Sequence, residues 1–358
     1  MGFEISYLLM DDTDRTRVIV DTDTAGDDTQ ALVLAALSDR IELEGVTICA
    51  GNVEFTRQVE NAKYTLQTAG VADEVPVYEG AQDPLQKSYD YADYVHGEGG
   101  LGGSLFPQTG IPSGDMHAVK YIVRMARENP GEITVVAIAP LTNLALALQL
   151  EPELPELLDQ VVCMGGAVNT LGNVTPAAEY NFWVDPDAAA MVVDAFEITL
   201  IDWGVTVRDA ELGSDTFEQI AQLDTELASF YTTIIQPVRQ FTHGATDSAN
   251  SNSDDNTDTD TATHPDSLTM ATVLDPDVIQ TATRCYINVD SRSGPTRGYT
   301  LADELDVLAH PANARVIKSI DTDRFRTILL DALAHANPHQ THEPESESES
   351  ESESEPEL

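Results

Sequence analysis

Lysine is scarce in this sequence. Four occur in 358 residues, Lys63, Lys87, Lys120 and Lys318, and with arginine only 18 basic side chains stand against 62 acidic ones. A formal charge of −44 repels nucleic-acid phosphates and anionic membrane surfaces, so neither is an expected partner. Cysteine is also rare: Cys49, Cys163 and Cys285 are far apart and sit in apolar runs, which excludes a disulfide framework and fits small core residues in a reducing cytoplasm. No apolar run is long enough to span a bilayer, and no basic segment with an apolar stretch follows Met1, so neither a membrane span nor a secretory leader is expected. The Met1-Gly2…Ser6 spacing matches a myristoylation pattern short enough to arise by chance.

What is present is acid and a sizeable core. With 42% hydrophobic residues the chain can build one large α/β domain or two ordinary ones. The acidity is spread widely: residues 245–263 and the Glu-Ser repeat from Glu343 to Leu358 hold 13 of the 44 net negative charges, leaving −31 elsewhere. Such a surface suits concentrated salt, where a Debye length of ~3 Å at 1 M weakens self-repulsion. A polyanionic regulatory protein is the competing reading.

From Arg17 onward short β-branched runs (RVIVD, LEGVTICAG, EITVVAIAP, DQVVCMGG, EITLIDW, TRCYINVD) alternate with amphipathic stretches. This alternation predicts a single doubly wound, Rossmann-like α/β domain over 17–335, with a mostly parallel sheet flanked by helices. Helices are expected at 27–38, 54–69, 114–129, 141–150, 186–195 and 215–239. Residues 1–16 read as a polar extension, 245–263 as an inserted acidic loop and 336–358 as a disordered tail.

The chemistry concentrates in VIVDTDTAGDDTQALVLAAL, residues 18–37. A buried strand runs into Asp21, Asp23, Asp27 and Asp28, and a helix follows. In open α/β sheets the C-terminal strand ends form the ligand crevice. Four carboxylates there need protons or a cation, and an all-oxygen donor set suits Ca²⁺ or Mg²⁺ rather than zinc. The bland alternative makes Asp27 and Asp28 helix N-terminal acids and the other two ordinary surface acids. A DxD phosphatase of the haloacid-dehalogenase type fits worse, because Ala25 stands where that pattern wants Thr or Val and no lysine follows a strand in a suitable loop.

Further along come CAGN (49–52), HGEGGL (96–101), AIAPLTNLA (137–145), MGGAVNTLGNVTPAAEYNFWVDPDAA (164–189) and DSLTMATVLDP (266–276). In this order the motifs closely resemble the inosine-uridine-preferring nucleoside hydrolase family over roughly residues 17–335, here as an acidic, haloarchaeal-type member. The resemblance implies one Ca²⁺ held by Asp23, Asp28, Asp266 and the main-chain carbonyl of Ile138, with Asp21 as a supporting acid. It places Asp27 and Asn52 on the ribose 2′ side, Glu179 and Asn181 on the 3′ and 5′ hydroxyls, and Met164 and Asn173 in the sugar pocket. Asp266 touches the sugar as well as the metal. It further implies a cytoplasmic homodimer or homotetramer acting on a small-molecule nucleoside, with Asp23 as the base that activates water. Asn143, Asn169 and Asn173 could instead be turn formers.

One position departs from the family. Many members carry a histidine directly before the third metal aspartate, where it assists the leaving base. Here Pro265 stands there and His264 lies one residue earlier. Proline fixes its own φ and removes a donor, so His264 cannot simply take over that geometry. His264 and His96 are the candidate acids, with His243, Tyr231, Gln236 and Arg239 as substitutes. If none reaches the base, two rivals gain ground: a non-catalytic ribose- or nucleoside-binding protein, and a hydrolase of another N-riboside such as nicotinamide riboside.

Overall fold

The structure, a computed structural model, describes residues 15–249 and 260–335, and only the backbone of 243–249. The polar lead-in up to residue 14 and the Glu-Ser tail from 336 lie outside the described residues.

The core is a nine-stranded sheet. Its strands are β1 Thr16–Thr22, β2 Ile41–Ile48, β3 Val77–Glu79, β4 Ile133–Ala137, β5 Gln160–Met164 and β6 Ile198–Ile201. A two-stranded ribbon of β7 Glu211–Leu212 and β8 Ala262–Thr263 stands apart, and β9 Ile279–Val289, β10 Thr300–Asp303 and β11 Ala314–Ile320 complete the main sheet. The order is β10-β9-β11-β6-β5-β4-β1-β2-β3. All neighbours from β3 to β11 pair in parallel, and β9 and β10 close that edge antiparallel. The TRCYINVD run thus forms an antiparallel strand in an otherwise parallel sheet. Strand β1 is buried on both faces, with Val18, Ile19 and Val20 inaccessible to solvent, as a strand covered by two helical layers must be. The chain winds from β1 outward to β3, then crosses back to β4 on the other side of β1. Between the ends of β1 and β4 lies the topological switch point, the usual place for a ligand in such sheets.

Helix boundaries follow the sequence pattern closely at Asp28–Leu37, Phe55–Thr68, Thr142–Leu150 and Pro186–Ala195. The helix expected at 114–129 begins only at Ala118. Two expectations are corrected. The stretch 215–239 is two helices, Ser214–Ala221 and Glu226–Ala249, separated by a polar turn, and the second continues through Pro237. The expected loop at 245–263 is regular at both ends, helical to Ala249 and strand at Ala262–Thr263, while 250–259 lies outside the described residues. All three cysteines are buried and free.

Two buried aspartates tie the loops above the sheet. Asp185 caps the Pro186–Ala195 helix by accepting from Ala188 N at 3.0 Å, and also takes Leu85 N at 2.8 Å and the Thr142 hydroxyl at 2.7 Å. Asp202 caps the Trp203–Asp209 helix through Gly204 N at 2.9 Å and reaches Val168 N at 2.8 Å in the loop after β5. Removing the second carboxylate strands several buried amides. Asp202→Ala is therefore expected to cost about 3 kcal/mol, combining a lost cap with unsatisfied donors. Urea unfolding of the two proteins checks this, with Asp202→Asn recovering part of the loss; an unchanged midpoint in the alanine variant would show that the cap does not hold the loop.

Candidate functional site

Strand β1 delivers its acids in alternation. Asp21 lies on the strand and Asp23 just beyond its end, so both point to the face away from Thr22. Asp21 Oδ1 accepts from Thr47 Oγ1 at 2.6 Å and from Asn143 Nδ2 at 2.8 Å, while its main-chain carbonyl takes Ile138 N at 2.8 Å. Asn143 also donates to the Ile48 carbonyl at 3.1 Å and accepts from Ala81 N at 2.9 Å. One side chain thereby joins three strand ends, which excludes the turn-former reading for Asn143. Asn169 does fit that reading, with a φ of 57°.

Asp23 Oδ2 accepts from the Asn52 amide at 2.8 Å, and its Oδ1 is buried without a partner. A Cβ at Gly51 would lie 1.8 Å from Asp23 Oδ2, so only glycine lets the CAGN backbone press this close. Asp28 accepts from the Thr22 hydroxyl at 2.5 Å, from Ala25 N at 3.2 Å and from Asn52 Nδ2 at 3.3 Å. Asp27 Oδ2 takes the amide of Asp266, at 2.9 Å, from the start of the Pro265–Leu274 helix. The 18–37 segment and the 266–276 motif, 239 residues apart, therefore share one floor.

Opposite them, Glu179 caps the Tyr180–Val184 helix by accepting from Asn181 N at 2.8 Å and Phe182 N at 3.2 Å, and it also takes Gly166 N at 2.8 Å. Asn181 Nδ2 reaches the carbonyls of Ile138 at 3.3 Å and Met164 at 3.2 Å. Beside these residues opens a cavity of about 320 Å³ whose polar lining consists of the buried Asp27, Asn52, Glu179, Asn181 and Asp266 and the exposed Asn173. Ile138 and Met164 line it too. Its apolar and aromatic lining includes Trp203, Val207, Val238 and, on the side open to solvent, the half-exposed Tyr94 and Phe241.

Burial dominates the electrostatics. It pushes the Asp21 carboxyl up to about 6 and that of Glu179 up to about 7. Asp23 and Asp266 rise well above the ordinary carboxylate range, first through burial and then through mutual repulsion, with Asp28 beside Asp23 and Asp27 beside Asp266. Asp27 and Asp28 rise for the same primary reason. Among the described residues, no three His, Cys, Asp or Glu side chains already form a closed cation cage. The donor set nevertheless fits a hard divalent ion. It consists wholly of oxygens, it repels itself, and it leaves Asp23 Oδ1 with nothing to bind.

The histidines separate. His96 lines the cavity, its ring lying over Gly26, where a Cβ would come within 2.2 Å of Nδ1. Burial lowers it to about 4, so it is a neutral imidazole near pH 7. His264 turns away from the cavity into the core. It stacks parallel to Tyr231 with ring centroids 6.0 Å apart, shares a 2.8 Å hydrogen bond with the Tyr231 hydroxyl and meets Phe325 edge-on. Pro265, not His264, faces the cavity, because proline starts the helix and pins the preceding histidine behind it. Burial lowers His264 to about 4 as well. Arg239 is engaged by Asp260 at 2.8 Å and lies 4.3 Å over Phe217. Gln236 does not line the cavity, and the side chain of His243 lies outside the described residues.

Several residues escape sequence reasoning. Tyr180 lines the cavity and donates to the Gly51 carbonyl at 3.0 Å; it stood between the two residues that were singled out. Trp203, Tyr94 and Phe241 carry no motif. They reach the cavity from separate elements whose approach no local pattern encodes.

Comparison with known proteins agrees with this geometry. Residues 18–327 match the model of the inosine-uridine preferring nucleoside hydrolases. The pyrimidine-specific ribonucleoside hydrolase RihB of Escherichia coli (strain SE11) is 32% identical over 315 residues, covering 87% of this chain and 95% of that one. Among solved structures, the plant nucleoside hydrolase PpNRh1 superposes with a TM-score of 0.81 at 28% identity, covering 89% of this chain and 99% of that one. The purine-preferring ribonucleoside hydrolase from Gardnerella vaginalis gives a TM-score of 0.79 at 28% identity, covering 89% and 98%. Among the described residues no helix is long and apolar enough to cross a membrane. With its carboxylate floor at the switch point and this likeness along nearly its whole length, the chain belongs to the inosine-uridine preferring nucleoside hydrolase family, hydrolases that act on the N-glycosyl bonds of ribonucleosides.

Proposed function

We propose that this enzyme is a calcium-dependent ribonucleoside hydrolase in which Asp23 takes the proton of the attacking water. The observation that carries this reading is the Asp23 carboxylate itself. One oxygen is fixed by the amide of Asn52, a residue of the cavity wall, and the other is buried and unpartnered; Asp23 itself lies behind that wall and does not line the nucleoside-sized cavity. Asp23, Asp28, Asp266 and the Ile138 carbonyl would hold the ion, with Asp21 steadying the strand end through Thr47 and Asn143. Bound calcium would polarise water and ribose hydroxyls and so ease their ionisation.

The residues around it divide the remaining work. Asp27 and Asn52 take the 2′ side of the ribose, while Glu179 and Asn181 take the 3′ and 5′ hydroxyls. Met164 and Asn173 fill the sugar pocket. As the C1′–N bond lengthens, positive charge grows on the ribose, and carboxylates near the ring stabilise it more in the transition state than in the ground state. The electron pair of that bond leaves with the base nitrogen. His96 is the histidine in reach, and as a neutral imidazole it offers the base a single N–H rather than a stored proton. Among the relatives, RihB is named pyrimidine-specific, the Gardnerella enzyme purine-preferring and another solved structure inosine-guanosine, so base size does not follow from membership. The high surface acidity supports work in concentrated salt.

Asp23→Asn is expected to lower turnover by about 10³-fold while calcium-dependent ribose binding persists, since general-base assistance typically contributes 10²- to 10⁴-fold. Ribose release at near wild-type rate would remove Asp23 from the role. Asn181→Ala should raise KM for nucleosides several-fold more than it lowers kcat, read from initial rates. The raised carboxyls also set a pH dependence. Groups such as Glu179, pushed up to about 7, favour the folded state while protonated, and that contribution is lost as pH rises through this value. Calcium should therefore raise Tm more at about pH 8 than at about pH 5 and release protons on binding near neutrality. Equal shifts at both pH values, with no proton release, would mean that the ion does not meet these carboxylates.

A further inference from the structure

Resting on the hydrolase reading, the structure yields an inference about the base. On that reading the buried polar lining holds the sugar, which leaves to the base the more exposed apolar and aromatic lining, with its distal edge turned toward solvent. Glu211 stands there. It lies on β7, pairs across the ribbon with Thr263, which also lines the cavity, and is exposed to solvent. Its Oε1 takes the hydroxyl of Thr261, and among the described residues no donor engages Oε2. Among the described residues no arginine or lysine lines this cavity, and Glu211 is the exposed charged group of its lining, an acceptor.

We propose that Glu211 selects nucleobases whose distal edge carries an exocyclic amino group, as in cytosine and adenine, over their carbonyl counterparts uracil and hypoxanthine. The physical reason is the sign of the contact. A carboxylate accepts a charge-assisted hydrogen bond from an amino group, but it can only repel a carbonyl oxygen placed at the same point. Within each pair the amino and carbonyl groups occupy the same ring position, so each comparison isolates edge chemistry at constant ring size. The apolar walls formed by Val207, Val238 and Trp203 accept either ring and leave edge chemistry as the discriminating contact.

The test compares kcat/KM for cytidine against uridine and adenosine against inosine, in wild-type enzyme and in Glu211→Gln, with calcium and salt held constant. A nitrophenyl riboside, which lacks the amino edge, reports the hydrolytic floor alone. Wild-type enzyme is expected to favour the amino-bearing member of each pair, and Glu211→Gln to reduce both ratios roughly tenfold, since the amide can donate to a carbonyl as well as accept. Hydrolysis of the nitrophenyl riboside should be unchanged, because Glu211 does not touch the sugar floor. Ratios unmoved by the substitution, with every nucleoside still hydrolysed, would overturn the role of Glu211 and leave the hydrolase standing. If neither enzyme releases ribose from any substrate, it is the hydrolase reading that falls.

Discussion

Mutual repulsion among buried carboxylates is the constraint around which this molecule is arranged. Asp21, Asp23, Asp27, Asp28, Glu179 and Asp266 are all nearly inaccessible to solvent and converge at one end of one sheet. Burying unpaired charge is among the costliest things a fold can do, and it is tolerated only where backbone donors, protons or a cation compensate. The surrounding structure supplies the first of these lavishly. Amides of Ala25, Asn52, Gly166, Asn181, Phe182 and Asp266 all point at carboxylate oxygens, so the loops are ordered by the acids they surround.

The same logic extends outward. Asp185 and Asp202 are capping residues by local geometry, yet each also grips a loop from elsewhere in the chain. Holding the loop after β5 keeps Gly166 where its amide meets Glu179 and its carbonyl accepts from Trp203 N at 2.9 Å. The positions of two cavity-lining residues, Glu179 and Trp203, therefore depend on one buried hydrogen-bond chain.

Much of this was legible in the sequence because it is local. The β-branched runs mark the buried parallel strands, and the acids at 21–28 follow the first of them directly. Several helix starts fall at side-chain caps, namely His117, Glu179, Asp185, Asp202 and Asp321. The fold class emerges as the alternation implies, and Asp27, Asn52, Glu179, Asn181 and Asp266 line one cavity, whereas Asp23 and Asp28 lie behind its wall. What was not legible depends on distant packing. The break at 222–225 (Gln-Leu-Asp-Thr) keeps a core-facing Leu223 among polar residues and so continues the helical pattern, and the last two sheet strands carry no alternation strong enough to stand out. His264 illustrates the limit best. Its distance along the chain from Asp266 made it a candidate acid, but the partners that bury it, Tyr231 and Phe325, come from two helices far away in sequence.

Gly51 and Gly26 give the cavity an unusual mutational anatomy. At both, the main chain is pressed so close to a side chain that no Cβ can be accommodated without moving Asp23 or the His96 ring. The floor is thus walled partly by backbone, and backbone offers no side chain to exchange. The mouth is built the opposite way, from ordinary side chains on a short helix, a long helix and a two-stranded ribbon. By this geometry the side chains at the mouth can be exchanged singly, whereas any side chain at Gly26 or Gly51 must displace a neighbour. Under the proposed function, descent within such a fold would diversify in what it cleaves from ribose and stay fixed in how it holds the ribose.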